Sequence, residues 1–144
     1  MLKYITGKEC RDMISETFNE VANLVVPTMG AKGLYCAINQ DFDKPTLTDD
    51  GVTVAREAAK MAGFKRMIAM DMIEAANNTE KEALDGTTLT VLLTNEFYKI
   101  GNMMIEDGEH PQRAADHIMN DVKAAREFLK KERMRMGKKY VYDI

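Results

Sequence analysis

Apolar residues recur at three- and four-residue steps along most of the chain, which is the signature of helices with one buried face. Ile14, Phe18, Val21, Leu24 and Val25, with Met13 beside them, form the first such stripe. Thr6 and Glu9 have capping-box spacing, so the first helix is expected to start near Thr6 and to run about five turns. Pro27, Gly30 and Gly33 in "PTMGAKG" end it. The segment from Leu34 to Thr48 opens with strand formers, turns polar and closes with Pro45 and a short extended run. It predicts a small β-hairpin with a broad loop. Helix resumes after "TDDG", through "VTVAREAAKMA", and Gly63 breaks it. "FKRMIAMDMIEAANNTEKEA" is helical by propensity, with Met67, Ile68, Met70, Met72 and Ile73 as its apolar content. Beyond Gly86 a fourth helix runs through Val91, Leu92, Phe97 and Ile100 to about Ile105. Pro111 suits the first turn of a last long helix with Ala114, Ala115, Ile118, Val122, Ala125 and Leu129 as its apolar face, ended by Gly137. The tail "KKYVYDI" has a strand-like composition. The expected class is mainly α: about five helices, one hairpin and strand-like termini.

Composition narrows the function classes. The 144 residues fit one domain with one sizeable core, and 45% apolar with 30% charged residues is ordinary for a folded chain. Net charge is −3, so no overall pull toward nucleic acid exists. Twelve methionines and no tryptophan suit an adaptable core. Cys10 and Cys36 are far apart and form no zinc-type spacing, so reduced thiols are expected. No apolar run approaches the ~20 residues of a membrane span, and "MLKYITGKEC" does not read as a signal peptide. A cytoplasm, bacterial or that of a bacterial host, is the expected compartment, and no membrane partner is expected. The basic cluster Arg126, Lys130, Lys131, Arg133, Arg135, Lys138 and Lys139 reads as a solvated helix end favoured by the dipole, so nucleic acid is not the expected partner. His110 and His117 lack a third ligand and read as surface residues. Asp41 and Asp43 lack the glycine and glutamate of a calcium loop.

Three loops share one design. "TMGAKG" offers a hydroxyl, two glycines and Lys32; "TDDG" leads into a helix with Asp49 and Asp50; "DGTT" does the same with Asp85. Helix N-termini carry unpaired N–H groups and partial positive charge, which suits phosphate oxygens. Carboxylates beside phosphate imply a cation such as Mg²⁺. Capping alone accounts for each loop singly, since Asp and Thr are routine N-caps and Gly a routine helix stop. None matches GxxxxGK[ST].

The order and spacing of "TMGAKG", the hairpin, "PTLTDDGVTVARE" and "DGTTLTVLL" resemble the N-terminal half of the equatorial domain of GroEL-type, group I chaperonins, over nearly the whole chain. That family reads TLGPKG, PTITKDGVSVARE and GDGTTTATVL. The resemblance implies a single equatorial-like domain over residues 1–144, without the apical and intermediate domains. It implies ATP or ADP with magnesium and potassium. Thr28, Met29 and Gly30 match the loop that meets phosphate and base. Gly86, Thr87 and Thr88 match the phosphate loop, Asp85 the magnesium-binding aspartate, and Asp50 the active-site aspartate of TKDG. Four positions depart from the pattern. Ala31 replaces proline, Asp49 replaces lysine, Leu84 replaces glycine and Leu89 replaces threonine. Asp49 sets a negative charge near phosphate and weakens its binding by Coulomb repulsion. The family's general base lies in a half of the equatorial domain without counterpart here, so weak ATPase is the most that the resemblance implies.

In that family a hairpin pairs with both termini of a neighbour. The resemblance therefore implies a homo-oligomer through hairpin 34–48 and terminal strands 2–5 and 140–144, as a ring or a strand-exchanged dimer. The chain then reads as a miniature whose last helix runs straight to the terminal strand, while a frayed end is the alternative. Two functions stay open. One is a chaperonin-like protein that binds Mg-ATP weakly, self-assembles and acts in protein folding, with an unfolded client as partner. The other is a nucleotide-free structural or regulatory module, of the kind a phage could carry, that joins or modulates a full-length chaperonin.

Overall fold

The computed structural model describes residues 4–30, 32–38 and 46–141. Its helices are α1 (Gly7–Val25), α2 (Gly51–Ala58), α3 (Phe64–Ala83), α4 (Thr87–Glu106) and α5 (Pro111–Val141). A 3-10 turn, Val26–Thr28, follows α1, and two short strands, β1 (Cys36–Ile38) and β2 (Thr46–Thr48), pair antiparallel with Cys36 opposite Thr48. The fold is mainly α, as the sequence pattern predicts. The loop 39–45 of the hairpin, Ala31 and the ends 1–3 and 142–144 lie outside the described residues.

The chain forms two compact units, residues 1–99 and 100–144. In the first, α1 to α3 and the start of α4 share one apolar core. Val21 and Val25 of α1, Val52 and Ala55 of α2, Ile68, Met72 and Ala76 of α3, and Val91 of α4 belong to it. Their spacing on each helix is three or four residues, so each turn adds one buried side chain. Phe18 and Tyr98 meet edge to face with ring centroids 5.3 Å apart. The Tyr98 hydroxyl donates to the Arg11 carbonyl at 3.1 Å. Burial, chiefly, holds that phenol above its ordinary pKa. On the surface, the Lys65 ammonium of α3 bridges Glu20 and Glu16 of α1 at 2.7 and 3.0 Å. These two carboxylates, Glu20 first, raise its pKa.

In the second unit, Ala114 of α5 is buried and Ile118 packs close to Gly101, where an added Cβ would lie 3.3 Å from Ile118 Cδ1. No helix of the described residues is long and apolar enough to cross a membrane.

Several expectations are corrected. The Thr6 side chain makes no capping hydrogen bond, so the Thr6–Glu9 box does not form. Gly7, at φ +60°, turns the chain into α1 instead. Leu24 is 48% exposed, and Thr17 and Ala22 take the buried positions. α2 stops at Ala58, well before Gly63. Ala115, Ala125 and Leu129 are exposed, so the expected apolar face of α5 is covered only at Ala114 and partly at Ile118 and Val122. Gly137 does not end α5. The helix continues through Tyr140 and Val141, which the tail composition assigned to a strand. Tyr4 and Ile5 are likewise outside any strand.

Candidate functional site

Two segments far apart in sequence wall one cavity of about 200 Å³. Its lining is Thr28, Met29 and Gly30 from the end of α1, and Asp85, Gly86, Thr87, Thr88 and Leu89 from the start of α4. Seven of these eight were singled out in the sequence for a nucleotide or magnesium site. Leu89, noted there only as a lost hydroxyl, is the eighth.

Local rules place each segment. The chain leaves α1 through Pro27, and the Leu34 amide donates back to the Pro27 carbonyl at 2.7 Å, which closes the loop. Thr28 is buried, and its hydroxyl donates to the Val25 carbonyl at 2.8 Å. With its proton so committed, Thr28 offers only lone pairs to a ligand. Gly86 sits at φ +83°, a left-handed backbone that glycine adopts without strain. Its carbonyl accepts from the Thr90 amide and from the Thr90 hydroxyl. The same hydroxyl lies 3.0 Å from Thr79 Oγ1 of α3, so its single proton is shared between the two acceptors. Thr79 and Thr90 therefore brace the turn from behind, a role that no sequence spacing signals.

The amides at the head of α4 have no intrahelical acceptor and face the end with partial positive charge. With the Thr87 and Thr88 hydroxyls they make a donor set suited to an anion. Asp85 supplies the opposite sign. Its Oδ1 accepts from the Gly86 amide at 2.6 Å, and its second oxygen remains for a cation. Among the described residues no group of three or more His, Cys, Asp or Glu side chains could cage a metal. One carboxylate on a phosphate-sized cavity does suit Mg²⁺, which takes one or two carboxylates and completes its shell with phosphate oxygens and water. The residues fit a cation that arrives with its phosphate, and not a free-standing metal site.

Asp50 stands apart from the cavity lining. Its carboxylate caps α2, accepting from the Val52 and Thr53 amides at 3.3 and 3.1 Å and from the Thr53 hydroxyl. The next residue is the link to the cavity. A Cβ on Gly51 would lie 2.3 Å from Thr88 Oγ1 and 3.1 Å from Thr28 Oγ1. Only glycine lets the first turn of α2 lie against both cavity segments. In the sequence Gly51 is only the last residue of "TDDG", and nothing there signals this contact.

A match to known proteins decides the ancestry of this arrangement. The family model of the TCP-1/cpn60 chaperonin family matches residues 21–143. The chain belongs to that family. It is 35% identical over 124 residues to "Heat shock protein 60A" of Drosophila melanogaster, an overlap of 86% of this chain and 22% of the relative. It is 34% identical over 125 residues to "60 kDa heat shock protein homolog 2, mitochondrial" of the same organism, again 22% of the relative. The chain thus spans about a fifth of the length of these curated relatives. Within this chaperonin family member, Leu84 marks the sharpest local departure. It ends α3 in the left-handed region, at φ +57°, with its side chain 86% exposed.

Proposed function

We propose that this chaperonin-family chain binds Mg-ATP weakly through the cavity between Thr28–Gly30 and Asp85–Leu89, with weak or no hydrolysis. It acts as one equatorial-like domain that self-assembles in protein folding or assembly, in a bacterial or bacterial-host cytoplasm. The observation that carries this reading is the convergence of the two segments on a single cavity with donors at α4 and a carboxylate at its edge. In this reading the α4 amides and the Thr87 and Thr88 hydroxyls hold phosphate oxygens. Asp85 holds magnesium against them, and potassium is the companion ion. Asp50, whose oxygens are engaged in capping, keeps α2 and therefore Gly51 in place, so its contribution to any turnover is indirect. Self-assembly uses the hairpin 34–48, of which β1 and β2 are the paired ends, and the chain termini. An unfolded client or a full-length chaperonin is the further partner.

Cavity size favours weak binding. About 200 Å³ is below the ~300–1,000 Å³ of ordinary ligand pockets, room for a phosphate chain and not for the whole nucleotide. The same fact, with the apolar Leu89 in the lining and Asp49 where the family has lysine, supports the second reading: a module that kept the fold and lost the nucleotide. A thermal-shift titration separates them. At ten times Kd, a ligand of the folded state adds about 1.4 kcal/mol, which raises Tm by roughly 3–6 °C for a chain of this size. Asp85→Ala is expected to remove the magnesium dependence of that shift. No shift with millimolar Mg-ATP leaves the nucleotide-free module.

A further inference from the structure

The exposed face of α3 carries a groove of about 610 Å³ lined by Gly63, Arg66, Met67, Met70, Asp71, Ile73, Glu74 and Asn77. Met67 and Met70 are 58% and 53% exposed, and Ile73 lies buried at the floor. Gly63, Met70 and Asn77 follow a seven-residue step, with Arg66–Met67 and Ile73–Glu74 between them, which is the spacing of a helix-pairing seam.

The stripe is chemically complementary to its own reverse. In an antiparallel pair with a two-fold axis at Met70, each residue faces its mirror in number across the axis, because the interface is isologous. Met70 then meets the partner subunit's Met70. Met67 lies over the partner subunit's Ile73. Arg66 faces the partner subunit's Glu74, and the reverse pair forms as well. Arg66 and Glu74 are exposed and engage in no ion pair among the described residues, so both charges remain for a partner. Methionine adapts to such a contact because its side chain is unbranched and polarisable.

We propose that α3 is a homodimer interface, with a second copy of the chain seated antiparallel in this groove and two reciprocal Arg66–Glu74 pairs fixing the register. The inference is independent of the nucleotide reading, and it concerns a different surface from the hairpin and the termini. Opposite charges set across the axis select the antiparallel register, because the parallel one would oppose like charges.

Charge exchange tests it. Sedimentation equilibrium of the wild-type chain is expected to give a salt-sensitive dimer. Arg66→Glu and Glu74→Arg should each weaken it at least ~10-fold, since each sets like charges opposite one another. An equimolar mixture of the two variants should dimerise again, because the mixed pair restores both attractions. Circular dichroism checks that each variant folds; both positions are exposed, so neither exchange disturbs the core. Met70→Cys, in a background where Cys10 and Cys36 are serine, should form a covalent dimer under mild oxidation. A wild-type monomer would overturn the proposal. So would an oligomer indifferent to both exchanges, or one lost only on substitution in the hairpin, which would locate assembly elsewhere. Failure of the mixture to recover the dimer would overturn the antiparallel register and with it the interface.

Discussion

Leu84 and Gly51 are two residues where backbone and side chain conflict. Leu84 holds a left-handed backbone that costs a β-carbon-bearing residue roughly 1 kcal/mol, and its exposed side chain returns little burial. Leu84→Gly is therefore expected to raise unfolding stability by about 0.5–1 kcal/mol, seen as a higher urea midpoint at unchanged m-value. Gly51 is the opposite case. Gly51→Ala drives a methyl toward Thr88 Oγ1 and Thr28 Oγ1, and overpacking of this kind typically costs about 1–3 kcal/mol. The same substitution should also lower affinity for any ligand of the cavity, since both hydroxyl-bearing residues wall it.

Tyr98 carries a pH prediction. Its folded pKa is raised, chiefly by burial, from the ordinary value of 10.0. The folded state thus keeps the phenolic proton longer than the unfolded state, and the stability it contributes is whole below pH 10 and lost as pH rises through the folded value. A phenolate also cannot donate to the Arg11 carbonyl. Denaturant unfolding from pH 9 to 11 should show a steeper alkaline decline for the wild-type chain than for Tyr98→Phe.

At the scale of elements, α2 depends on one side chain. Asp50 accepts both early amides of this short helix. Asp50→Ala should cost about 0.5–2 kcal/mol, while Asp50→Asn, which caps as well, should stay near the wild type. Chemical denaturation of the two variants separates the cap from the charge. Legibility also varied by element. α3 was readable because Gly63 and the Asp85–Gly86 pair flank a run of good helix formers. The end of α5 was not. Gly137 costs only ~1 kcal/mol relative to alanine in a helix, too little to stop a run of Lys, Arg, Glu and Met. Strand composition at Tyr140 and Val141 was likewise a weak preference, overridden by the helix arriving from Pro111. Thr6 offered a cap by spacing, but its side chain makes no capping hydrogen bond, and α1 opens instead on Gly7 at positive φ.

Across the whole molecule, the motifs were legible while the geometry joining them was not. "TMGAKG" and "DGTT" could be paired as candidate phosphate loops, and they do converge on one cavity. The cap at Asp50 was legible, since Asp is a routine N-cap, but spacing gave no means to see that Gly51 makes the close contact. Nor could it show that Thr79 and Thr90 brace the loop, since a hydroxyl on a helix reads the same whether it faces solvent or a neighbour. The chain belongs to the chaperonin family yet spans about a fifth of its relatives' length. Retention of the nucleotide site is therefore the central claim to test. Isothermal titration of the chain with ATP, with and without magnesium, does so most directly. Magnesium-dependent heat with a dissociation constant in the high micromolar to millimolar range, lost in Asp85→Ala, is the predicted result. Absence of heat at millimolar Mg-ATP, from a chain that is folded by circular dichroism, would contradict it.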